Sequence, residues 1–357
     1  MTASPVTDTS MLQEPLEKLL LQRKPDCIVQ DMFHHWAADA IDKLELDIPR
    51  IVFSGNGCFA TCVGENIWKF KSHWMVDSKY EPFVVPDLPN RIELTRPQLP
   101  ASPFVEDNMR KSMKNCYGVV VNSFYELEPA YVEQFKKRNK AWIVGPVSLY
   151  NRNTADKAER GKKAAIDETS ILSWLDSKAS NSVLYISFGS SPRLAPQQIL
   201  EIAYGLQASN QLFIWVITDV FKGEGTQFFI GGFMTQCWWN STLECVCCGV
   251  PMITWPMSAD QFFNEKLVTD VLKTGVKVGS LDWLLWTMEP QASVGRDMVE
   301  AVVNRLMDGG EEAVEMINKA RQIGVIAKKA VEEGGSSYEN AIALIKDLED
   351  RRNSDRD

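Results

Sequence analysis

The stretch from residue 231 to 261, GGFMTQCWWNSTLECVCCGVPMITWPMSADQ, contains the features that decide the fold. Its apolar beginning predicts a strand, and the segment from Ser241 to Cys248 predicts a helix that ends at Gly249. PMITWP then predicts a second strand. A strand, a helix and a strand in succession are typical of a parallel α/β sheet.

The same alternation extends to both sides of this stretch. Predicted strands are DCIVQD, PRIVFSG, YGVVVNSF, AWIVGPV, SVLYISFGSS and QLFIWVI, and predicted helices include HHWAADAIDKLELD, APQQILEIAYGLQAS and DQFFNEKLVTDVLKTG. Further helices are expected at about 311–333 and after GGSS near the carboxyl end. The 357 residues predict two domains, at 1–148 and 169–357, joined by a polar linker at 149–168. The expected fold class is therefore α/β, with two domains.

Charge and cysteine content exclude several classes of protein. The net charge of −9, without a basic cluster, argues against binding to nucleic acid or to an anionic membrane. No apolar run approaches the roughly 18 residues that a membrane span needs. Eight cysteines in a chain of this length predict free thiols and a cytoplasmic protein. Cys237, Cys245, Cys247 and Cys248 lack the paired CxxC spacing of a zinc site, so buried thiols are preferred to a metal.

WNSTLE carries the first of three polar signals that follow predicted strands. A helix that starts here presents backbone N–H groups and the positive end of its dipole, which suits a phosphate. Asn240 and Ser241 add side-chain donors. The alternative is structural, because Ser241 and Glu244 have the S-x-x-E spacing of a capping box.

FGSS, which includes Ser190, and ADQ, which ends in Asp260 and Gln261, carry the second and third signals. A Gly-Ser turn after a parallel strand lets the backbone approach a ligand, although many such turns only connect. An Asp-Gln pair can accept from and donate to sugar hydroxyls, although the Asp could equally cap a helix. Because all three signals fall at the same edge of the sheet, together they indicate a nucleotide-sugar site.

The sequence resembles the plant UDP-dependent glycosyltransferases, a family with two facing Rossmann-like domains of the GT-B type. The resemblance is carried by GGF, WNSTLE, GVPMITWP and DQF, and also by PDCIVQDMF, FVVPDLPNRIELTRPQLP, NSFYELEPAY, SVLYISFGS and AKKAVEEGGSSYENAIALI. The resemblance extends over nearly the whole chain. Within the family, the sequence is similar to members that act on triterpenoid sapogenins, flavonoids or abscisate.

The resemblance implies a role for each matching residue. Ser190, Trp239, Asn240 and Ser241 would lie along the diphosphate, with Gln236 at the phosphate side and Glu244 on the ribose hydroxyls, while Asp260 and Gln261 would hold the sugar. Asp31 would orient the catalytic histidine. The UDP-sugar is a co-substrate, so the resemblance implies no cofactor. The implied partners are this donor and a small-molecule acceptor, and the protein is expected to be a monomer.

The chain departs from the family pattern at the catalytic base. The family has a Gly-His turn after its first strand, and this histidine takes the proton of the acceptor hydroxyl. No Gly-His pair is present, and no histidine precedes Asp31. The N-terminal domain is therefore expected to lack its leading elements. His34 and His35 are candidate substitutes for the base.

Two further departures affect the donor side. TDVFKGEGTQFFI replaces a longer family segment whose Trp stacks on uracil. The family's His-Cys-Gly-Trp-Asn-Ser also becomes Gln236 to Ser241, with Gln236 in place of His and Trp238 in place of Gly. Gln236 cannot offer a phosphate the charge of a protonated histidine.

Two functions follow from this sequence. The first is transfer of a hexose, glucose being expected, from a UDP-sugar to a small plant metabolite, with inversion at the anomeric carbon. The alternative is a truncated paralogue without transferase activity, because the base and the uracil platform are missing.

Overall fold

A computed structural model describes residues 9–99, 109–150, 168–189, 194–216, 231–258, 260–281 and 293–354. The chain divides into two compact units. One contains residues 1–62, 101–147 and 329–357, and the other contains residues 63–100 and 148–328. Within the described ranges, no helix has the length and apolar character that crossing a membrane requires.

Helices and parallel strands alternate along most of the chain, as the sequence predicts. The strands are β1 (Ile28–Asp31), β2 (Arg50–Ser54), β3 (Phe83–Val85), β4 (Ile92–Leu94), β5 (Gly118–Val121), β6 (Ala141–Ile143), β7 (Val183–Ser187), β8 (Leu212–Val216), β9 (Gly232–Thr235), β10 (Met252–Thr254) and β11 (Gly275–Lys277). The helices are α1 (Gln13–Arg23), α2 (Trp36–Lys43), α3 (Cys58–Phe70), α4 (Pro129–Lys136), α5 (Glu168–Asp176), α6 (Pro196–Ser209), α7 (Trp239–Cys248), α8 (Gln261–Lys266), α9 (Arg296–Met307), α10 (Glu311–Ala330) and α11 (Ser336–Ser354).

The first unit is built on a four-stranded parallel sheet with the order β1-β2-β5-β6. Ile51, Val120 and Trp142 form a core on this sheet, and two leucines of the C-terminal helix α11 pack against it. The start of α3 is fixed by Glu128, whose buried carboxylate accepts hydrogen bonds from the backbone N–H groups of Cys58 (2.9 Å) and Phe59 (2.6 Å). These N–H groups have no acceptor within the helix, so the carboxylate satisfies donors that burial would otherwise leave unbonded.

The second unit is built on a five-stranded parallel sheet with the order β11-β10-β9-β7-β8. A cluster of buried side chains in this unit contains Leu184, Ile186, Met234 and Ile253 of the strands, packed with residues of α6 and α9. β3 and β4 form a separate antiparallel pair.

The register of the second sheet brings three strand ends to the same level. Ser187 of β7 is paired with Thr235 of β9, and Thr235 is paired with Thr254 of β10. The residues that follow these three strands therefore leave the sheet side by side at its carboxyl edge, where parallel α/β sheets bind ligands.

The structure refines the predicted boundaries. α7 begins at Trp239, two residues before the predicted start at Ser241, and α10 ends at Ala330 rather than near 333. The predicted linker, 149–168, lies mostly outside the described residues. The domain limits 1–148 and 169–357 stay a prediction; the compact units additionally place residues 329–357 with the first sheet and 63–100 with the second unit.

Candidate donor-sugar site

Helix α7 starts at the carboxyl edge of the second sheet. Its N-cap is Trp238, with φ −56° and ψ 142°, and the first backbone bond within the helix runs from Thr242 N to Trp238 O (2.9 Å). Trp239, Asn240 and Ser241 are thus the first three helical residues, whose N–H groups have no acceptor inside the helix. The helix ends at Gly249 in the left-handed conformation, as predicted.

The predicted capping box of Ser241 and Glu244 is wrong. Ser241 is the third residue of the helix, and the N-cap residue Trp238 makes no side-chain cap hydrogen bond. A serine in the first turn is not placed to cap it from outside. The capping-box alternative for WNSTLE therefore loses its basis.

The side chains of the first turn of α7 point to different environments. Trp239 is 2% exposed, so its indole belongs to the core. Asn240 and Glu244 are exposed, and Ser241 is half-buried. Trp238 has an ordinary negative φ, so position 238 does not need glycine; the left-handed residue of this turn is Cys237, with φ 67°.

Gln236 follows β9 and reaches toward the turn after β7. It is 2% exposed, and its Nε2 lies in the space beside Gly189, a residue with φ 71°. The strand-end prediction thus holds for FGSS up to Gly189, while Ser190 lies outside the described residues. The segment expected to replace the uracil platform, 217–230, also lies outside them.

Asp260 and Gln261 begin α8 after β10 and are both buried. Gln261 Oε1 accepts hydrogen bonds from the backbone N–H groups of Met257 (2.7 Å) and Ser258 (3.0 Å). Its Nε2 is buried and has no partner among the described residues. Asp260 occupies the N-cap position, but its carboxylate makes no cap bond; Oδ2 instead accepts from Asn264 Nδ2 at 2.8 Å. The N-cap position that the alternative predicts for Asp260 is therefore confirmed, but the side chain does not cap the helix.

Sequence reasoning missed two buried residues beside this pair. Asn264 also donates to Cys237 O (2.9 Å), and Glu265 accepts from Thr254 Oγ1 (2.7 Å) at the end of β10. Asn264 is four residues from Asp260, so the i,i+4 spacing was a signal that could have found it. A carboxyl at Glu265 had no comparable signal, because its strand partner is set by the tertiary fold.

Both carboxyls titrate far from their ordinary range. Burial raises the pKa of Asp260 to about 6, although the hydrogen bond from Asn264 opposes this. Burial raises the pKa of Glu265 to about 7, with the Thr254 hydroxyl opposing it. Perturbed carboxyls at a strand edge are typical of functional sites, since ordinary stability would favour apolar groups there.

Asp31 is the last residue of β1, in the first unit. Its Oδ1 accepts a hydrogen bond from Phe33 N at 2.9 Å. His34 lies with Nδ1 3.3 Å from Thr9 Oγ1, and His35 has a buried Nδ1 without a partner among the described residues. Within the part of the chain that the structure describes, neither imidazole bonds to the Asp31 carboxylate, so the structure gives no support to either as a base that Asp31 orients.

All eight cysteines are free thiols. On α7, Cys245 and Cys247 are buried, as predicted, whereas Cys248 is exposed. Burial raises the pKa of the Cys247 thiol to about 12, which keeps it protonated and unreactive. The described residues contain no group of three or more metal-binding side chains.

Comparison with known proteins identifies the class of protein that has this fold and this site at the carboxyl edge of its second sheet. Residues 229–284 match the family described as UDP-glucoronosyl and UDP-glucosyl transferase. The abscisate beta-glucosyltransferase of Phaseolus angularis is 48% identical over 98% of this chain and 82% of its own length. The scopoletin glucosyltransferase of Nicotiana tabacum is 44% identical over 95% of this chain and 78% of its own length.

A solved structure agrees in fold. UGT73P12 of Glycyrrhiza uralensis, complexed with glycyrrhetinic acid 3-O-monoglucuronide, superposes with a TM-score of 0.89 at 36% identity, covering 97% of this chain and 78% of that one. The chain belongs to the plant UDP-dependent glycosyltransferases and has their GT-B fold. Its reaction is glucosyl transfer from a UDP-sugar, which is a co-substrate and not a cofactor. The long match with intact transferases favours this function over the non-catalytic fragment.

Proposed function

We propose that this chain binds its UDP-sugar at the carboxyl edge of the second sheet and transfers glucose, with inversion, to a small plant acid. The observation that carries the donor site is the buried pair Asp260 and Gln261. The pair offers one carboxylate and one amide nitrogen, Gln261 Nε2, that has no partner among the described residues. Leaving a buried donor unbonded costs about 1–3 kcal/mol, and a sugar hydroxyl removes that cost.

The diphosphate is assigned to the first turn of α7. The N–H groups of Trp239, Asn240 and Ser241 start the helix, and the helix dipole favours negative charge there. Asn240 and Ser241 add side-chain donors, and Ser190 is proposed to add a hydroxyl from the turn after β7. Glu244, exposed one turn further along, is proposed to accept from the ribose hydroxyls.

Gln236 is assigned to the phosphate side because it lies at the end of β9, directly before this turn. Its amide can donate a neutral hydrogen bond to the departing diphosphate. Stabilisation of this leaving group is the main electrostatic need of the reaction, so α7 and Gln236 act in the chemical step as well as in binding.

The acceptor is proposed to be a carboxylic acid of the abscisate type. Two observations support this choice: the similarity to an abscisate glucosyltransferase, and the absence of an imidazole bonded to Asp31 among the described residues. A carboxylate is already ionised at neutral pH and attacks the anomeric carbon without a base. An alcohol needs one, and without it loses about 10²–10⁴ in rate.

Asp31 therefore has no base to orient in this proposal. The test is to assay the purified chain with UDP-glucose and either abscisate or scopoletin, in the wild type, Asp31→Ala and Asp260→Ala. Ester formation should be retained in Asp31→Ala and lost in Asp260→Ala, while Asp350→Ala, an exposed change on α11, serves as the control. Transfer to scopoletin that is fast in the wild type and collapses in Asp31→Ala would contradict the carboxylic-acid proposal.

We also propose that the protein works as a monomer in the cytoplasm. The eight free thiols support a reducing compartment. Light scattering after size-exclusion chromatography measures the oligomeric state, and a fluorescent fusion in plant cells measures the location.

A further inference from the structure

Asn264 connects two separate segments of the candidate donor site. It lies in α8 and is 0% exposed. Its Nδ2 donates to Asp260 Oδ2 at 2.8 Å and to Cys237 O at 2.9 Å. An amide nitrogen carries two hydrogens, so both bonds form at once, and because both partners accept, the orientation of the amide is fixed.

The two partners serve different ends of the donor. Asp260 belongs to the sugar side. Cys237 belongs to the turn between β9 and α7, where it adopts φ 67° and its N–H donates to Thr235 Oγ1 at 3.3 Å. The carbonyl that Asn264 holds lies two residues before Trp239, the first residue of α7. One side chain therefore fixes both the carboxylate and the entry to the phosphate-binding helix.

We propose that Asn264 is a positioning residue for UDP-sugar transfer: it holds Asp260 and the Cys237 turn in one arrangement, so that sugar and diphosphate are bound together. The inference rests on the proposed donor site. Only a residue of this size with two N–H groups on one atom satisfies both acceptors. Aspartate offers acceptors in their place, and alanine leaves the Cys237 carbonyl without this donor.

Calorimetry with UDP and with UDP-glucose separates this role from that of Asp260. Asp260→Ala should weaken the binding of UDP-glucose and leave the affinity for UDP unchanged, because UDP has no hexose. Asn264→Ala should weaken UDP-glucose about tenfold or more and UDP several-fold, the range expected for lost hydrogen bonds to a charged group and to a turn. In the Asp260→Ala background, Asn264→Ala should still weaken UDP.

Gln198→Ala provides a matched control. Gln198 is also a buried amide whose nitrogen and oxygen are both bonded: it donates to Val294 O (2.8 Å) and accepts from Ser293 N (2.8 Å). Both partners belong to one segment, and none of the proposed donor residues takes part in these bonds. It should lower the melting temperature and leave both affinities within twofold. Equal losses of affinity in Gln198→Ala and Asn264→Ala would reduce Asn264 to a packing residue and overturn the inference.

The pH dependence of UDP-glucose binding gives a second readout. The bond from Asn264 lowers the pKa of Asp260, so Asn264→Ala should move the acidic limit of binding to higher pH. The series is run in the Glu265→Gln background, which removes the neighbouring carboxyl that titrates at about 7. If Asn264 had a packing role alone, the pH below which UDP-glucose binding is lost would be the same in Asn264→Ala and in its parent.

Asn264→Asp keeps the size of the side chain and tests the same idea if the alanine variant does not fold. It should bind UDP-glucose more weakly than the wild type at pH 8, since two carboxyls then face each other, and recover part of the affinity at pH 5.5. Wild-type affinity for both ligands in Asn264→Asp would overturn the inference while leaving the donor site intact. Absence of any UDP binding by the folded wild type would instead overturn the proposed function, and the inference with it.

Discussion

The side chain of Gln236 occupies the space that a side chain at Gly189 would need: a Cβ at position 189 would lie 2.4 Å from Gln236 Nε2. The two residues follow neighbouring strands, β9 and β7, whose ends are level in the sheet. A side chain at position 189 would therefore require the Gln236 amide to shift. The glycine also adopts φ 71°, a conformation that other residues reach at a cost.

Gly189→Ala should therefore weaken UDP binding and lower stability by about 1–3 kcal/mol, through strain and collision together. Gly279→Ala is the matched control, because Gly279 has φ 84° but no atom within 4 Å of a Cβ, so it reports strain alone. Chemical denaturation and calorimetry measure both effects. Equal stability losses in the two variants would show that the contact with Gln236 costs nothing.

Gln236→His should tighten UDP binding below about pH 6, because a protonated imidazole makes a charge-assisted bond to phosphate worth about 1 kcal/mol more than a neutral amide makes. The gain should disappear at pH 8, where the imidazole is neutral. Gln236→Leu should show no gain at either pH. If Gln236→His tightened UDP binding equally at pH 5.5 and pH 8, the gain would come from the shape of the imidazole and not from its charge.

The raised pKa values of Asp260 and Glu265 make the stability of the ligand-free protein depend on pH. Their ordinary values are 3.8 and 4.5, and burial raises them to about 6 and about 7. Between about pH 4 and pH 7 the folded state holds protons that the unfolded state has released. The contribution of these two groups is therefore fully present below about pH 4 and is lost as pH rises to about 7.

The Asp260→Asn, Glu265→Gln double variant should remove this pH dependence, which between pH 5 and pH 8 amounts to about 1 kcal/mol from Asp260 and about 3 kcal/mol from Glu265. Urea denaturation at pH 5 and pH 8 in both proteins measures it, and the difference between them cancels the titration of all other carboxyls. A double variant that loses as much stability as the wild type between these pH values would show that neither carboxyl holds a proton in the folded state.

Glu128→Ala should destabilise the first unit by about 2–4 kcal/mol, because the N–H groups of Cys58 and Phe59 and the hydroxyl of Ser123 lose their buried acceptor. Glu128→Gln keeps one acceptor oxygen and should lose less. Glu133→Ala changes an exposed residue of α4, the helix that Glu128 directly precedes, and should have little effect on stability. Denaturant midpoints measure the series, and a cost in Glu128→Ala no larger than in Glu133→Ala would contradict the role in fixing α3.

The order of strands and helices could be predicted because apolar runs and turn residues are local signals. The start of α7 could not, since the S-x-x-E spacing of Ser241 and Glu244 imitates a cap, whereas the N-cap of the helix is Trp238. The edge position of Asp260 and Gln261 was predictable from the strand before them. The bond from Asn264 to Cys237 was not, because 27 residues separate them and only the sheet register brings them together.

The two backbone hydrogen bonds to the Gln261 side chain have a consequence for which sugars the proposed site can accept. Its oxygen is committed to Met257 N and Ser258 N, so toward a ligand the side chain can only donate. A hydroxyl accepts that bond and can donate its own hydrogen to Asp260. An ammonium group can donate to the acid but cannot accept from the amide, and a deoxy position can do neither. In the donor site that we propose, the backbone of one short turn, which contributes no atom to the chemistry, thus favours neutral hydroxylated sugars over amino and deoxy sugars.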